Sequence, residues 1–270
     1  MENKSHALAA LNISRSNFYY QSLKDAPDSE LKTKIEKVLE ANPSYGHRRC
    51  ALELKINKKK IRRIMRKYDI RPRRGRKKPV FKRSKDDALG SQNLLLSLFP
   101  LFKNHVWVTD FTYLKWHGRF VYLCTVIDVY TREVIGVAIK TNHAALLVSE
   151  ALLNAVAAEG AAHIIHSDQG SEYRSKLFRS ILVDFKMLQS MSAKGSPWQN
   201  AFQESFFGNF KVDIGDVNRF TTLGELISEL YRSIYYYNTN RIHLSLGCAP
   251  KQFAQNAHAA YNLNQETLTV

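Results

Sequence analysis

Between Val106 and Lys140 the chain reads VWVTDFTYLKW, HG, RFVYLCTVIDVYT, R and EVIGVAIK, three runs dense in β-branched and aromatic residues. Such runs favour strands. HG is a plausible hairpin turn, and the run after TR continues an antiparallel meander. The pattern then changes. HAALLVSEALLNAVAAEG has helical composition and is stopped by Gly160, AHIIHS is a short buried strand, and EYRSKLFRSILVDF is a second helix. KMLQSMS is a last strand, SPWQNAFQESFFGNFK a helix started by Ser196 with Pro197 at its first position, and TTLGELISELYRSIYYYNTNR a helix with Thr222 and Glu225 at capping-box spacing. Three antiparallel strands followed by helix, strand, helix, strand, helix predict an α/β fold, a mixed five-stranded sheet with flanking helices.

The residues before this region read differently. Leu31, Ile35, Val38 and Leu39 fall on one helical face with Asp28 or Ser29 as cap, YGHRRCALELK is a second helix, and Asn57 can cap a third. In that third helix Ile61, Ile64, Met65 and Tyr68 make an apolar stripe and basic residues cover the rest. Of the chain's 40 Lys and Arg, nineteen lie between His47 and Lys85 against two acids, Glu53 and Asp69, so this segment carries +17 where the whole chain has a formal net charge of +16, and the remainder is close to neutral. A block this one-sided repels itself unless a polyanion lies beside it, and release of counterions from nucleic-acid phosphate is the usual gain. Three short helices ending in a basic one fit a helix-turn-helix region on double-stranded DNA. Candidate DNA-binding residues are Lys58, Lys59, Arg62, Arg63, Arg66 and Lys67 on the helix and Arg71, Arg73, Arg74 and Arg76 in the Pro- and Gly-rich stretch after it. The plainer alternative is a basic amphipathic helix on an acidic protein partner.

The expected organisation is a truncated helix-turn-helix tail over 1–27, a helix-turn-helix DNA-binding region over 28–70, a basic linker over 71–104, the α/β core over 105–255 and a tail over 256–270. No apolar stretch approaches the roughly 18 residues of a membrane span, and the start carries no signal-peptide pattern, so a cytoplasmic, nucleoid-associated location is expected. Cys50, Cys124 and Cys248 are odd in number and far apart, which disfavours disulfides and structural zinc and leaves buried thiols.

Three carboxylates stand at informative places. Asp110 lies inside the first strand among Trp107, Val108, Phe111 and Tyr113, where an uncompensated charge is costly. Asp168, in HSDQGSEY, lies just beyond the fourth strand, where open α/β sheets build their sites. Glu204 lies one turn into the helix after the last strand, with Phe206, Phe207 and Phe210 to pack that helix down. Taken singly each has a plainer reading: a hydrogen-bonded strand acid, an Asx-turn former, a solvent-facing helix residue. His166 could reach phosphate or be an ordinary edge histidine, and Lys211, two turns after Glu204, could grip DNA or be a surface lysine. Arg241 and His243 are expected to close the carboxy-terminal helix over the core rather than to contact phosphate, and Trp198 either covers the sheet or stacks on a base, with packing the favoured reading.

The order Asp110, Asp168, Glu204, with thirty-five residues between the last two, resembles the DDE core of retroviral-type integrases and insertion-sequence transposases. WVTDFTYL, HSDQGSEY, NAFQESFFGNFK and YNTNRIHLSLGCAP resemble the second-frame (OrfB) transposases of the IS-three family, and PSYGHRRCALELK with KKKIRRIMRKYDIRPR resembles their helix-turn-helix region. Together these cover the chain from about Asn12 to Lys251. The resemblance implies a ribonuclease-H-like core with Asp110, Asp168 and Glu204 as catalytic residues and ligands of two Mg²⁺ or Mn²⁺ ions, and Lys211 at the DNA. It also implies strand cleavage and 3′-hydroxyl strand transfer by a homo-oligomer on transposon ends and target, with the upstream-frame OrfA product as fusion or partner. The alternative is a regulatory or architectural DNA-binding protein derived from such an enzyme.

Overall fold

The structure is a computed structural model, and it describes residues 25–75, 93–96, 98–193 and 200–257. The start of the chain, the predicted helix start at Ser196 and Pro197, Trp198 and Arg76 lie outside the described residues.

Three helices come first: α1 (Asp25–Ala41), α2 (His47–Glu53) and α3 (Lys58–Lys67). Their shared core is small, with Leu31, Ile35, Tyr45, Cys50, Ile61 and Ile64 among its buried members. The Asn57 side chain caps α3 by accepting from the Lys59 N–H at 2.8 Å. Asp28 does not cap α1. The helix starts by Asp25, and Asp28 is buried inside its first turn, where it accepts hydrogen bonds from Arg63 (2.8 Å) and Lys67 (3.1 Å) of α3. These bonds hold its carboxyl down at about 2.

The core sheet follows: β1 (Val106–Trp116), β2 (Arg119–Asp128), β3 (Val134–Lys140), α4 (Ala145–Glu159), β4 (Ile164–Ser167), α5 (Lys176–Asp184) and β5 (Leu188–Met191). Then come α6 (Ala201–Ile214) and α7 (Leu223–Thr239). The strand order is β3-β2-β1-β4-β5, with β1, β2 and β3 antiparallel and β4 and β5 parallel to β1. The β1–β2 hairpin turns at His117 and Gly118, both at positive φ (43° and 80°), as a two-residue hairpin requires.

Strand alternation splits the core in two. Trp107 of β1 and Cys124 and Val126 of β2 face α4 and α5. Val106, Val108 and Leu114 of β1 face α6 and α7, whose Phe206, Phe207, Phe210, Leu226 and Leu230 fill that layer. On the α4 side β3 lies against helix backbone: a Cβ at Gly136 would stand 2.2 Å from the Ala151 carbonyl and 2.7 Å from the Ala155 Cβ. Glycine there, and alanine opposite, set how closely the layers approach.

Candidate active site

β1 and β4 run parallel, with Val106 paired to Ile164, Trp107 to Ile165 and Val108 to His166. Asp110 stands two residues past Val108 inside β1, and Asp168 two residues past His166, just beyond the end of β4 at Ser167. Asp110 shares the parity of Val108 and so falls on the α6 face of the sheet. Its carboxylate accepts the Phe111 N–H at 2.8 Å. Asp168 accepts the Gly170 N–H at 2.9 Å, an Asx-type turn, and a Cβ at Gly170 would come within 3.0 Å of that carboxylate oxygen. The buried phenol of Tyr173 registers both acids. Burial raises it well above the ordinary value, and the charges of Asp110 and Asp168 add to the shift.

Glu204 is positioned by its neighbour. Gln203 is wholly buried; its amide N–H groups donate to the carbonyls of Val108 (2.8 Å) and Thr125 (3.0 Å), while its oxygen accepts from the Thr125 hydroxyl at 2.9 Å. Thr125 is the β2 residue paired with Asp110. Asn200, at the start of α6, donates to the Thr109 carbonyl at 3.3 Å. Four directional bonds therefore fix the first turn of α6 over β1 and β2, next to Asp110. Glu204 lines a cavity of about 400 Å³ together with Arg73, Arg74 and Gly75, whose segment is tied back by the Arg73 N–H to the Pro43 carbonyl at 2.8 Å. Lys211 donates to the Tyr113 carbonyl of β1 at 2.9 Å and lies over the Tyr113 ring.

Among the described residues no three His, Cys, Asp or Glu side chains stand close enough together to hold a metal ion. Asp110 lies within β1, Asp168 just beyond the end of β4, the strand next to it, and Glu204 in the first turn of α6. Their chemistry suits hard cations, since three carboxylates offer only oxygen donors, and Asp168 is exposed on a turn.

The other singled-out residues separate clearly. Lys58, Lys59, Arg62 and Arg66 are exposed on α3, whereas Arg63 and Lys67 turn to Asp28. Arg71, Arg73 and Arg74 are exposed, Arg71 pairing with Asp69 at 2.8 Å. His166 is no edge residue: it is fully buried, its Nδ1 lies 2.8 Å from the Ser190 hydroxyl, and burial pushes its pKa down to about 4. Ser190 also accepts the Leu94 N–H at 3.0 Å, so this pair anchors the segment entering the core. Arg241, buried after α7, bonds to Asp213 of α6 (2.9 Å) and to Ser44 (2.8 Å), closing the carboxy-terminal part not only on the core but on the helical region. The clamp by Gln203 was missed in the sequence; an amide one residue before a candidate acid, on the apolar face of its helix, is the signal that could have found it.

Residues 102–197 match the family described as integrase core domain, and residues 186–250 match a second family of the same description. The chain is 32% identical to the putative transposase InsK of insertion sequence IS150 from Escherichia coli K12, over 93% of both chains. It is also 32% identical to the transposase of IS904 from Lactococcus lactis, covering 73% of this chain and 80% of that one. Among solved structures, the simian T-cell lymphotropic virus intasome in complex with the PP2A regulatory subunit B56 gamma superposes with a TM-score of 0.50 at 16% identity, over 83% of this chain and 74% of that one. The last likeness establishes the ribonuclease-H-like integrase fold alone. From the near-full-length match to InsK and the integrase core families, the chain belongs to the insertion-sequence transposases of the IS-three family, OrfB type.

Proposed function

We propose that this DDE transposase cuts and joins DNA strands with Asp110, Asp168 and Glu204 as its catalytic carboxylates. The observation that carries the assignment is the register of β1 with β4, which supports side-by-side placement of Asp110 and Asp168 on the face where Gln203 clamps the helix of Glu204. Asp110 and Asp168 would hold one Mg²⁺ or Mn²⁺ ion between them, and Glu204 would share the second with one of these acids. Such a pair of ions supplies a lowered pKa for an attacking water or 3′-hydroxyl and positive charge against that growing on the phosphoryl oxygens. The chain's own work is to orient. Gln203 fixes the approach of Glu204, the Gly170 turn holds Asp168, and Lys211 stands where a cation meets the DNA end.

The exposed basic face of α3 binds duplex phosphates through Lys58, Lys59, Arg62 and Arg66, with Arg71, Arg73, Arg74 and Arg76 continuing along the strand. Arg63 and Lys67 contribute less, because Asp28 engages them. The working form is a homo-oligomer on paired ends in the bacterial cytoplasm, at the nucleoid, with the upstream-frame OrfA product fused or bound to complete end recognition. Among the described residues no helix is long and apolar enough to cross a membrane.

Labelled transposon-end DNA, incubated with Mg²⁺ or with chelator, tests the assignment. The native chain is expected to give nicked and joined products only with the metal. Glu204→Gln should lower joining by at least ~1,000-fold while binding the same DNA within about twofold. Joined product from Glu204→Gln at the native rate would refute it.

A further inference from the structure

The helical region and the core meet along a polar seam. The Ser44 N–H and hydroxyl donate to Asp213, Arg241 bonds to both residues, and the Tyr45 hydroxyl accepts the Ile242 N–H at 2.6 Å. Behind the seam lies a cavity of about 270 Å³, several times the ~30 Å³ share of a liquid water. It is lined by three arginines from distant parts of the chain: Arg49 of α2, Arg132 of the β2–β3 turn and Arg241 after α7. Among the described residues no carboxylate lines it.

The charge state of this cavity is unusual. Arg241 is matched by Asp213. For the other two, the Nε of Arg49 and the Nε and Nη1 of Arg132 are buried and have no hydrogen-bond partner among the described residues. Arg132 lies over the Phe202 ring, 4.1 Å from its centroid, which fixes the plane of the guanidinium. Burial lowers the pKa of both arginines, yet a guanidinium keeps its proton at any working pH. His243, also on the lining, is pushed down to about 4 by burial and by these arginines, and so adds no charge near neutrality. Buried cations with unused donors are costly unless an anion joins them, and the planar fork of arginine matches phosphate oxygens.

The position tells which phosphate. Ser205 and Asn209 of α6 line this cavity and also the one that holds Glu204, Arg73 and Arg74. The two share a wall one residue from Glu204. We propose that Arg49, Arg132 and Arg241 form a cradle for a backbone phosphate of the DNA strand that runs past Glu204. One phosphate would then be gripped by the helical region and the core at once, so that DNA engagement locks their seam. This deepens the transposase reading and rests on it.

The test uses the full chain, transposon-end DNA and chelator, so that binding is read without chemistry and a wrong catalytic assignment leaves the readout untouched. The dissociation constant is measured against salt. Arg132→Gln and Arg49→Gln should each weaken binding roughly tenfold and reduce the slope of log K on log salt by about one, the signature of one lost phosphate contact. Ser205→Asp removes no arginine and places a carboxylate in the shared wall; it should do the same, and it decides the matter if an arginine variant does not fold. In a parallel arm, inorganic phosphate replaces chloride at equal ionic strength. Stabilisation of the native chain by phosphate, lost in Ser205→Asp, supports an oxyanion site. Folded variants with native affinity and slope would overturn the proposal, and so would phosphate stabilisation accompanied by an unchanged DNA slope, which would assign the cradle to free phosphate instead.

Discussion

The two faces of the central sheet are closed by different means. On the α4 and α5 side contact is apolar and tight, with Gly136 of β3 against the backbone of α4 and Ala151 and Ala155 completing the fit. On the α6 and α7 side large aromatic rings fill the layer, and the first turn of α6 is held by hydrogen bonds from Gln203 and Asn200 to strand carbonyls. Apolar packing fixes a distance between layers but tolerates sliding, whereas a buried amide bonded to two particular carbonyls fixes a register. The register is fixed on the side of the sheet against which the helix of Glu204 packs.

The comparison can be broken most forcibly at Gly136. Gly136→Val should destabilise the core by ~3 kcal/mol or more, because the added atoms meet helix backbone that cannot yield; denaturant unfolding measures it, and a change below 1 kcal/mol would show the layers to be compliant. On the other face, Gln203→Ala leaves the carbonyls of Val108 and Thr125 unsatisfied and should cost ~1–3 kcal/mol. Its larger consequence is for chemistry: loss of register at Glu204 should slow strand transfer on the order of 100-fold with DNA binding intact. Equal transfer rates in the two folded proteins would deny the clamp its positioning role.

His166 sharpens the comparison through pH. Its folded pKa of about 4 lies below the ordinary 6.5 because burial disfavours the charged ring. The stability tied to the neutral ring is therefore complete above pH 6.5 and is lost as pH falls from there toward 4, since the unfolded chain takes up the proton first. His166→Gln should flatten the stability profile across that window by roughly 1–3 kcal/mol without changing the profile on the alkaline side. An unchanged acid limb would exclude His166 as its source.

Much of this fold was legible in the sequence where the cause is local. The HG turn, the Asn57 cap, the Thr222–Glu225 capping box and the Gly160 stop each depend on residues within a few positions of one another, and each is present in the structure. Asp28 shows the limit. Its type and place suggest a helix cap, yet its partners Arg63 and Lys67 lie 35 and 39 residues on. His166 likewise reads as an edge residue until its strand is placed between β1 and β5.

By itself the sequence determined the element types, the mixed sheet, the concentration of basic charge and the spacing of Asp110, Asp168 and Glu204, because composition, periodicity and turn chemistry act over short range. Tertiary structure alone decided which amide locks Glu204's helix, which cations pair with Asp28, and that Arg49, Arg132 and Arg241 line one cavity. Those outcomes depend on burial and on partners brought together from distant segments, and desolvation acts on a side chain only once the fold has taken it from water.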